Sequence, residues 1–235
     1  MEGTTCTIAN NFMKGFGILV VFLAMGLAKP VRESAWVTPC GGPAATPPPG
    51  LPVPPPVTVV EDMLPIFEES KTKALALKDK YKTERINMTN GQLSLYENMH
   101  LDGMPECCLS SSEIMQSLSD MTLAHQSSYE KISRDLVFLE QMSYDEYMFE
   151  SPSYNDELKS LYTDCLSLLC NLQKLILNAE ANIEYVDSSI MSDSLRQPEN
   201  AFQRGERNFV IIKDVHRTLE NLETQYNAIK NHLSN

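Results

Sequence analysis

The feature that most constrains this 235-residue chain is an apolar stripe near its C-terminal end. From Phe209 onward the apolar residues fall at Phe209, Ile212, Val215, Leu219, Leu222, Tyr226, Ile229 and Leu233, always in steps of three or four. At 3.6 residues per turn that spacing lines one face of a long helix and leaves the other polar, so the helix must be covered by others. Phe202 comes seven residues before the stripe, with Gly205 between them and Gln203, Arg204, Glu206 and Arg207 around it. Those neighbours make a half-exposed helix mouth, and an exposed aromatic there is a candidate contact.

Three further segments carry the helical period. The first runs from Asp62 to about Arg85, with Leu64, Phe67, Ala74, Leu75 and Tyr81 on one side and interruptions at Lys71 and Lys78. The second begins after Cys108, where Ser110 and Glu113 have the spacing of a capping box, and continues through Ile114, Leu118, Met121, His125, Tyr129, Ile132, Leu136 and Leu139. The third opens at Ser151-Pro152 and follows Leu158, Leu161, Cys165, Leu168, Leu172, Leu175, Ala179, Ile183 and Val186. No segment alternates with period two for long enough to make a strand, so the class is all-α. The first and third connections (86–109 and 187–200) are long and the second (143–154) is shorter. Long connections can travel the length of a bundle, which predicts a long-chain four-helix bundle, up-up-down-down with two long crossover loops.

The N-terminal 60 residues divide in two. A weakly basic lead to Lys14 precedes an uncharged run from Gly15 to Ala28 that ends in small residues, the pattern of a signal peptide over 1–28. Fourteen residues fall short of the roughly 20 that a spanning helix needs, so export is favoured over a retained anchor. Residues 29–60 form a Pro-rich segment, with eight prolines between Gly41 and Val57, expected to be a disordered leader. The folded domain is then 61–235. Residues 1–60 hold Lys14, Lys29 and Arg32 against Glu2 and Glu33, so the domain carries −13 within a net charge of −12. That balance argues against nucleic acid or anionic membrane as a partner. A secreted, extracellular product is expected, with a glycosylation acceptor at Asn87-Met88-Thr89.

Chemistry is hard to find. The four histidines (His100, His125, His216, His232) share no metal-ligand spacing, and there is neither a phosphate-cradling glycine loop nor a nucleophile elbow. No catalytic residue, metal, cofactor or small-molecule substrate is expected, and His125 reads as a core histidine. Signal removal leaves five cysteines: Cys40, Cys107, Cys108, Cys165 and Cys170. Five residues apart on one helix, Cys165 faces inward and Cys170 outward. Cys40 with Cys170 is the expected bridge, with Cys107 and Cys108 as further candidates and Cys165 as a buried thiol.

Three segments resemble a known group, one of them more weakly. FQRGERNFVIIKDVHRTL (Phe202 to Leu219) is similar to the start of the last helix in the ciliary neurotrophic factor, cardiotrophin-like cytokine and leukaemia inhibitory factor group of interleukin-6 type cytokines. SLSDMTLAHQSSYEKISRDLVFL (Ser117 to Leu139) resembles that group's second helix, and a weaker match covers Glu157 to Leu172. The resemblance implies a receptor ligand without catalysis, which binds class I cytokine receptor ectodomains and signals through JAK-STAT. In the group, a phenylalanine and a lysine three residues later contact a receptor of the leukaemia inhibitory factor receptor type. Phe202 matches the aromatic, Gly205 stands at the lysine, and Arg204 is the neighbouring charge. Phe202, Arg204 and Lys213 are the expected receptor-binding residues. The group's tryptophan further along the helix is Thr218 here. The competing reading is a helical scaffold or interaction protein, not an enzyme and not secreted.

Overall fold

The structure is a computed structural model that describes residues 34–42, 53–86, 90–106, 108–151 and 153–235. The expected signal peptide, the acceptor Asn87 and Cys107 lie outside the described residues. The chain is all-helical, with no strand among the described residues. The described residues form the α-helices α1 (Pro56–Lys80), α2 (Asn90–Asn98), α3 (Ser111–Ser119), α4 (Met121–Phe149), α5 (Asn155–Asn178), α6 (Asp193–Arg196) and α7 (Ala201–Leu233).

Helix α1 starts earlier than the sequence pattern predicts, inside the proline-rich stretch. Proline in a first turn forfeits no intrahelical hydrogen bond and has its φ already set, so Pro56 opens the helix and Val59 and Val60 are buried. The buried seam is Val60, Met63, Phe67, Ser70, Ala74, Leu77 and Tyr81, an unbroken alternation of three and four. Ser70 sits in the seam because its hydroxyl donates to the Ile66 carbonyl of the same helix. The expected interruptions lie beside the seam, where Lys71 pairs with Glu223 and Lys78 with Glu97. A π-helical turn, Tyr81–Ile86, ends the rod.

The expected second helix is two. Ser110 and Glu113 form the capping box, the Ser110 hydroxyl accepting from the Glu113 amide at 3.3 Å and the Glu113 carboxylate from the Ser110 amide at 2.7 Å. The helix then breaks at Asp120, whose carboxylate accepts from the Leu123 amide at 3.0 Å and starts α4. The third helix ends at Asn178, short of the expected Val186. Glu180 takes a left-handed backbone (φ 55), while the Ala181 amide donates to Ile176 O and the Glu180 amide to Leu177 O. These are the bonds of a Schellman end, made without glycine.

Helix α1 lies on α7 and α5, and α4 lies on the same two. Glu61, Phe67 and Lys71 of α1 meet Lys230, Tyr226 and Glu223 of α7 in opposite sequence order. Lys73 and Lys80 meet Asp164 and Glu157 of α5, again opposed. Between α4 and α7 the matching pairs are His125 with Tyr226 and Asp145 with Arg207. The shared core includes Phe67, Phe138, Leu161, Cys165, Phe209 and Tyr226.

The expected disordered leader is ordered over its first described part. Trp36 is 1% exposed, its indole donates to the Val186 carbonyl at 2.9 Å, and the Tyr129 hydroxyl donates to the Trp36 carbonyl at 2.6 Å. Cys40 then bridges to Cys170 with Cα atoms 5.0 Å apart. A large aromatic and a covalent link thus fix residues 35–42 to the helices, which proline content alone would not predict. Cys165 is a buried free thiol and Cys108 an exposed one.

The two long connections touch one another. Gly103, between α2 and α3, has φ +91, and a Cβ there would lie 2.3 Å from the Ile190 carbonyl oxygen of the connection between α5 and α7. Only glycine allows that approach.

One core group is poorly matched to its surroundings. Asp135 of α4 is buried, and neither carboxylate oxygen has a hydrogen-bond partner among the described residues. Thr218 lies alongside, but its hydroxyl donates to the Asp214 carbonyl. Burial, reinforced by the nearby Asp214 charge, pushes the Asp135 carboxyl well above the usual carboxylate range. In the unfolded chain the group ionises near pH ~3.9. Above that pH the native state therefore holds a proton that the unfolded state has released, and stability falls as pH rises until the native carboxyl ionises. Asp135→Asn is expected to stabilise the fold by about 1–3 kcal/mol at neutral pH. It should also flatten this pH dependence, as read by urea denaturation at mildly acidic and neutral pH.

Candidate functional site

One end of the helix assembly gathers side chains that the core does not need. It is built from the π-helical turn after α1, the last turns of α4, the Tyr154 segment before α5 and the first turns of α7. Asn200 caps α7 by accepting from the Gln203 amide at 2.9 Å, which places Phe202 in the first turn, ahead of the covering helices. Phe202 is 55% exposed. At the end of α4, Tyr147, Met148 and Phe149 are 74%, 50% and 56% exposed. Three consecutive apolar residues on a helix cannot all face a core when each turns by about 100°.

Beneath this apolar rim is a network of paired charges. Glu146 is fully buried and accepts from Arg85 Nη2 at 2.9 Å, the Tyr154 amide at 2.9 Å and the Tyr81 hydroxyl at 2.5 Å. Arg85 also stacks over the Tyr154 ring at 4.4 Å, and Tyr154 donates to Glu84 at 2.6 Å. Burial, with the Glu146 charge next, raises the Tyr81 phenol well above its ordinary value. Burial and the Glu84 hydrogen bond push Tyr154 up to about 12. Both therefore remain neutral donors at physiological pH. Arg204 donates to Glu150 at 2.9 Å and lies over the Phe149 ring at 4.8 Å. Arg207 is buried, pairs with Asp145 and donates to the Leu195 carbonyl at 2.6 Å. The rim thus rests on fixed ion pairs, which limit its reorganisation on contact.

The structure separates the three expected contact residues. Phe202 is at the rim. Arg204 is there too, but its guanidinium is engaged with Glu150 and Phe149 and is not a free cation. Lys213 is a correction: it is 1% exposed, and its ammonium donates to the carbonyls of Tyr96 (3.2 Å), Glu97 (3.5 Å) and Met99. Those carbonyls close the C-terminal end of α2, where a cation satisfies unpaired acceptors and the helix dipole. Lys213 therefore anchors the connection between α1 and α3 and presents no charge to a partner. Tyr147, Met148 and Phe149 escaped the sequence reading, although three apolar residues in a row at a helix end were the available signal.

His125 is a structural group. It is buried, stacks on Tyr226 and has Nδ1 2.9 Å from its hydroxyl. Burial lowers its pKa to about 4, so it is neutral at physiological pH. No three metal-ligating side chains cluster among the described residues, and none of their helices is long and apolar enough to cross a membrane. No family model, curated protein or solved structure matches the chain.

Proposed function

We propose that this chain is a secreted cytokine of the interleukin-6 type. In this reading it is a long-chain four-helix bundle, up-up-down-down with two long crossover loops, that clusters class I cytokine receptors and triggers JAK-STAT signalling. The observation that carries it is the pair of exposed aromatics Phe202 and Phe149, set beside the Arg204–Glu150 pair over a buried ionic base. Exposed aromatics held on a rigid support are the usual anchors of protein interfaces. The opposed pairings of α1 and α4 with α7, and of α1 with α5, support the topology. So does the contact between the two long connections at Gly103. The receptor at this end is a chain of the leukaemia inhibitory factor receptor type, and other faces of the bundle engage the family's shared signal-transducing subunit.

Phe202→Ala tests the reading. With more than half of its surface already in water, the side chain contributes little to folding, so the melting temperature should change by no more than about 2 °C. Receptor-dependent STAT phosphorylation and binding to the leukaemia inhibitory factor receptor ectodomain should each weaken by about tenfold or more. A variant that folds and signals like the wild type would sink the assignment.

A further inference from the structure

Three tyrosines stand exposed among the described residues: Tyr144 and Tyr147 of α4, at 53% and 74%, and Tyr185 of the connection between α5 and α7, at 45%. We propose that Tyr185 is a modification site, converted to its O-sulfate ester by a protein-tyrosine sulfotransferase. The inference rests on the secreted reading above, because that class of enzyme works in the lumen of the secretory pathway. It concerns a different place on the chain, since Tyr185 packs on Tyr129 near the start of α4 and the Phe202 rim lies at that helix's end.

Charge singles out the segment. From residue 175 to 195 the chain has no lysine, arginine or histidine and four carboxylates, Glu180, Glu184, Asp187 and Asp193. Glu180, Glu184 and Asp187 are exposed together with Tyr185, so the phenol sits in a local negative field. A cleft that binds the anionic donor of sulfate has to be basic, and such a cleft is steered onto an acidic acceptor.

Backbone then separates the three tyrosines. Tyr144 and Tyr147 also have acids beside them, but Asp145 and Glu146 are buried and paired with Arg207 and Arg85. Both tyrosines are committed to α4, where successive side chains turn by about 100° and cannot enter one cleft together. Residues 181–187 belong to no helix or turn. They are nonetheless held on either side of the acceptor: the Gln126 amide donates to the Asn182 carbonyl at 2.7 Å, and the Trp36 indole to the Val186 carbonyl. The Tyr185 ring lies at 71° to that of Tyr129, with centroids 6.4 Å apart. By contrast, the hydroxyls of Tyr81, Tyr129 and Tyr154 donate within the fold, to Glu146, the Trp36 carbonyl and Glu84.

In the transfer itself the Tyr185 phenolic oxygen attacks the sulfur of an activated sulfate, the mixed sulfuric-phosphoric anhydride of an adenosine nucleotide. The new O–S bond replaces the anhydride S–O bond, the nucleotide leaves with its phosphate, and the phenolic proton passes to a base of the transferase. Nothing is oxidised or reduced.

The experiment expresses the full chain in mammalian secretory cells and digests the secreted product with trypsin. Cleavage after Lys174 and Arg196 releases Tyr185 in a peptide with no second tyrosine. The 175–196 peptide is expected to carry a single sulfate that resists phosphatase, is absent from Tyr185→Phe, and disappears when chlorate blocks sulfate activation in the cells. Tyr185→Phe keeps the ring and should melt within about 2 °C of wild type. A secreted wild-type chain whose 175–196 peptide is unmodified, or whose adduct a phosphatase removes, overturns the inference and leaves the cytokine reading standing. Sulfate on Tyr144 or Tyr147 in place of Tyr185 overturns it as well, because the extended acidic segment then does not select the acceptor. A chain retained inside the cell overturns both.

Discussion

Replacing Cys40 and Cys170 together by serine is expected to lower stability by about 5 kcal/mol, in proportion to the long loop that their bond closes. The two cysteines are 130 residues apart, and a cross-link over that span removes a large part of the unfolded chain's freedom while adding little to the native contacts. The loss should appear as a lower urea midpoint under non-oxidising conditions, with a steeper dependence on denaturant because the unlinked chain expands further. Equal midpoints for the variant and the disulfide-bonded wild type would mean that the bond constrains nothing that folding has to order. The chain contains one tryptophan, Trp36, four residues before Cys40. Its emission therefore reports on the bridged segment alone, while circular dichroism reports on the helices. Coincident transitions are expected for the bridged chain, and separation of the two signals in the double serine variant would mark a segment that leaves before the bundle melts.

Trp36→Ala carries the next largest expected effect, about 3–5 kcal/mol. The indole is nearly inaccessible to solvent, so its removal loses apolar burial and leaves a cavity among helices already joined to one another. It also strips the Val186 carbonyl of its only indole donor. Trp36→Phe should recover most of the volume but not that hydrogen bond, and so fall between alanine and wild type. Circular dichroism must follow both, since neither retains the fluorophore. Because Trp36 and Cys40 hold the same segment, combining Trp36→Ala with the cysteine variant should cost less than the separate losses added together. Additive costs would place the two on independent parts of the fold.

Much of the helical framework was legible because it depends on period and capping. The stripe from Phe209 to Ile229 is buried as its spacing requires, the Ser110 and Glu113 box forms, and Cys165 and Cys170 face opposite ways. The errors have local causes. In α1 a serine bonded to its own helix stands in for an apolar residue, and skipping it shifts the apparent seam onto two lysines. In α5 the stop is made by Glu180 in a left-handed conformation that sequence normally signals with glycine. Trp36 belongs to no repeating pattern, so nothing nearby betrays that it is core. Lys213 was misplaced because α7 is buried on every side from Arg207 to Val215, with α2 lying across the face that periodicity assigns to water. At the candidate site, Phe202 stands out from polar neighbours, whereas Tyr147, Met148 and Phe149 fall in the stretch that the pattern assigns to the second connection, through which α4 in fact continues.

The pairing of α1 with α7 also bears on how such a chain is made. Lys71 finds Glu223 only after 152 further residues have been added, which at about 5–20 residues per second is roughly 8–30 s of synthesis. Helical turns form in microseconds or less, so it is the covering of α1's apolar seam, and not the forming of its turns, that waits for the rest of the chain. During that interval Met63, Phe67 and Leu77 are exposed to whatever else is nearby. Completion of the core in a chain of this design therefore waits on α7, however early α1 is made.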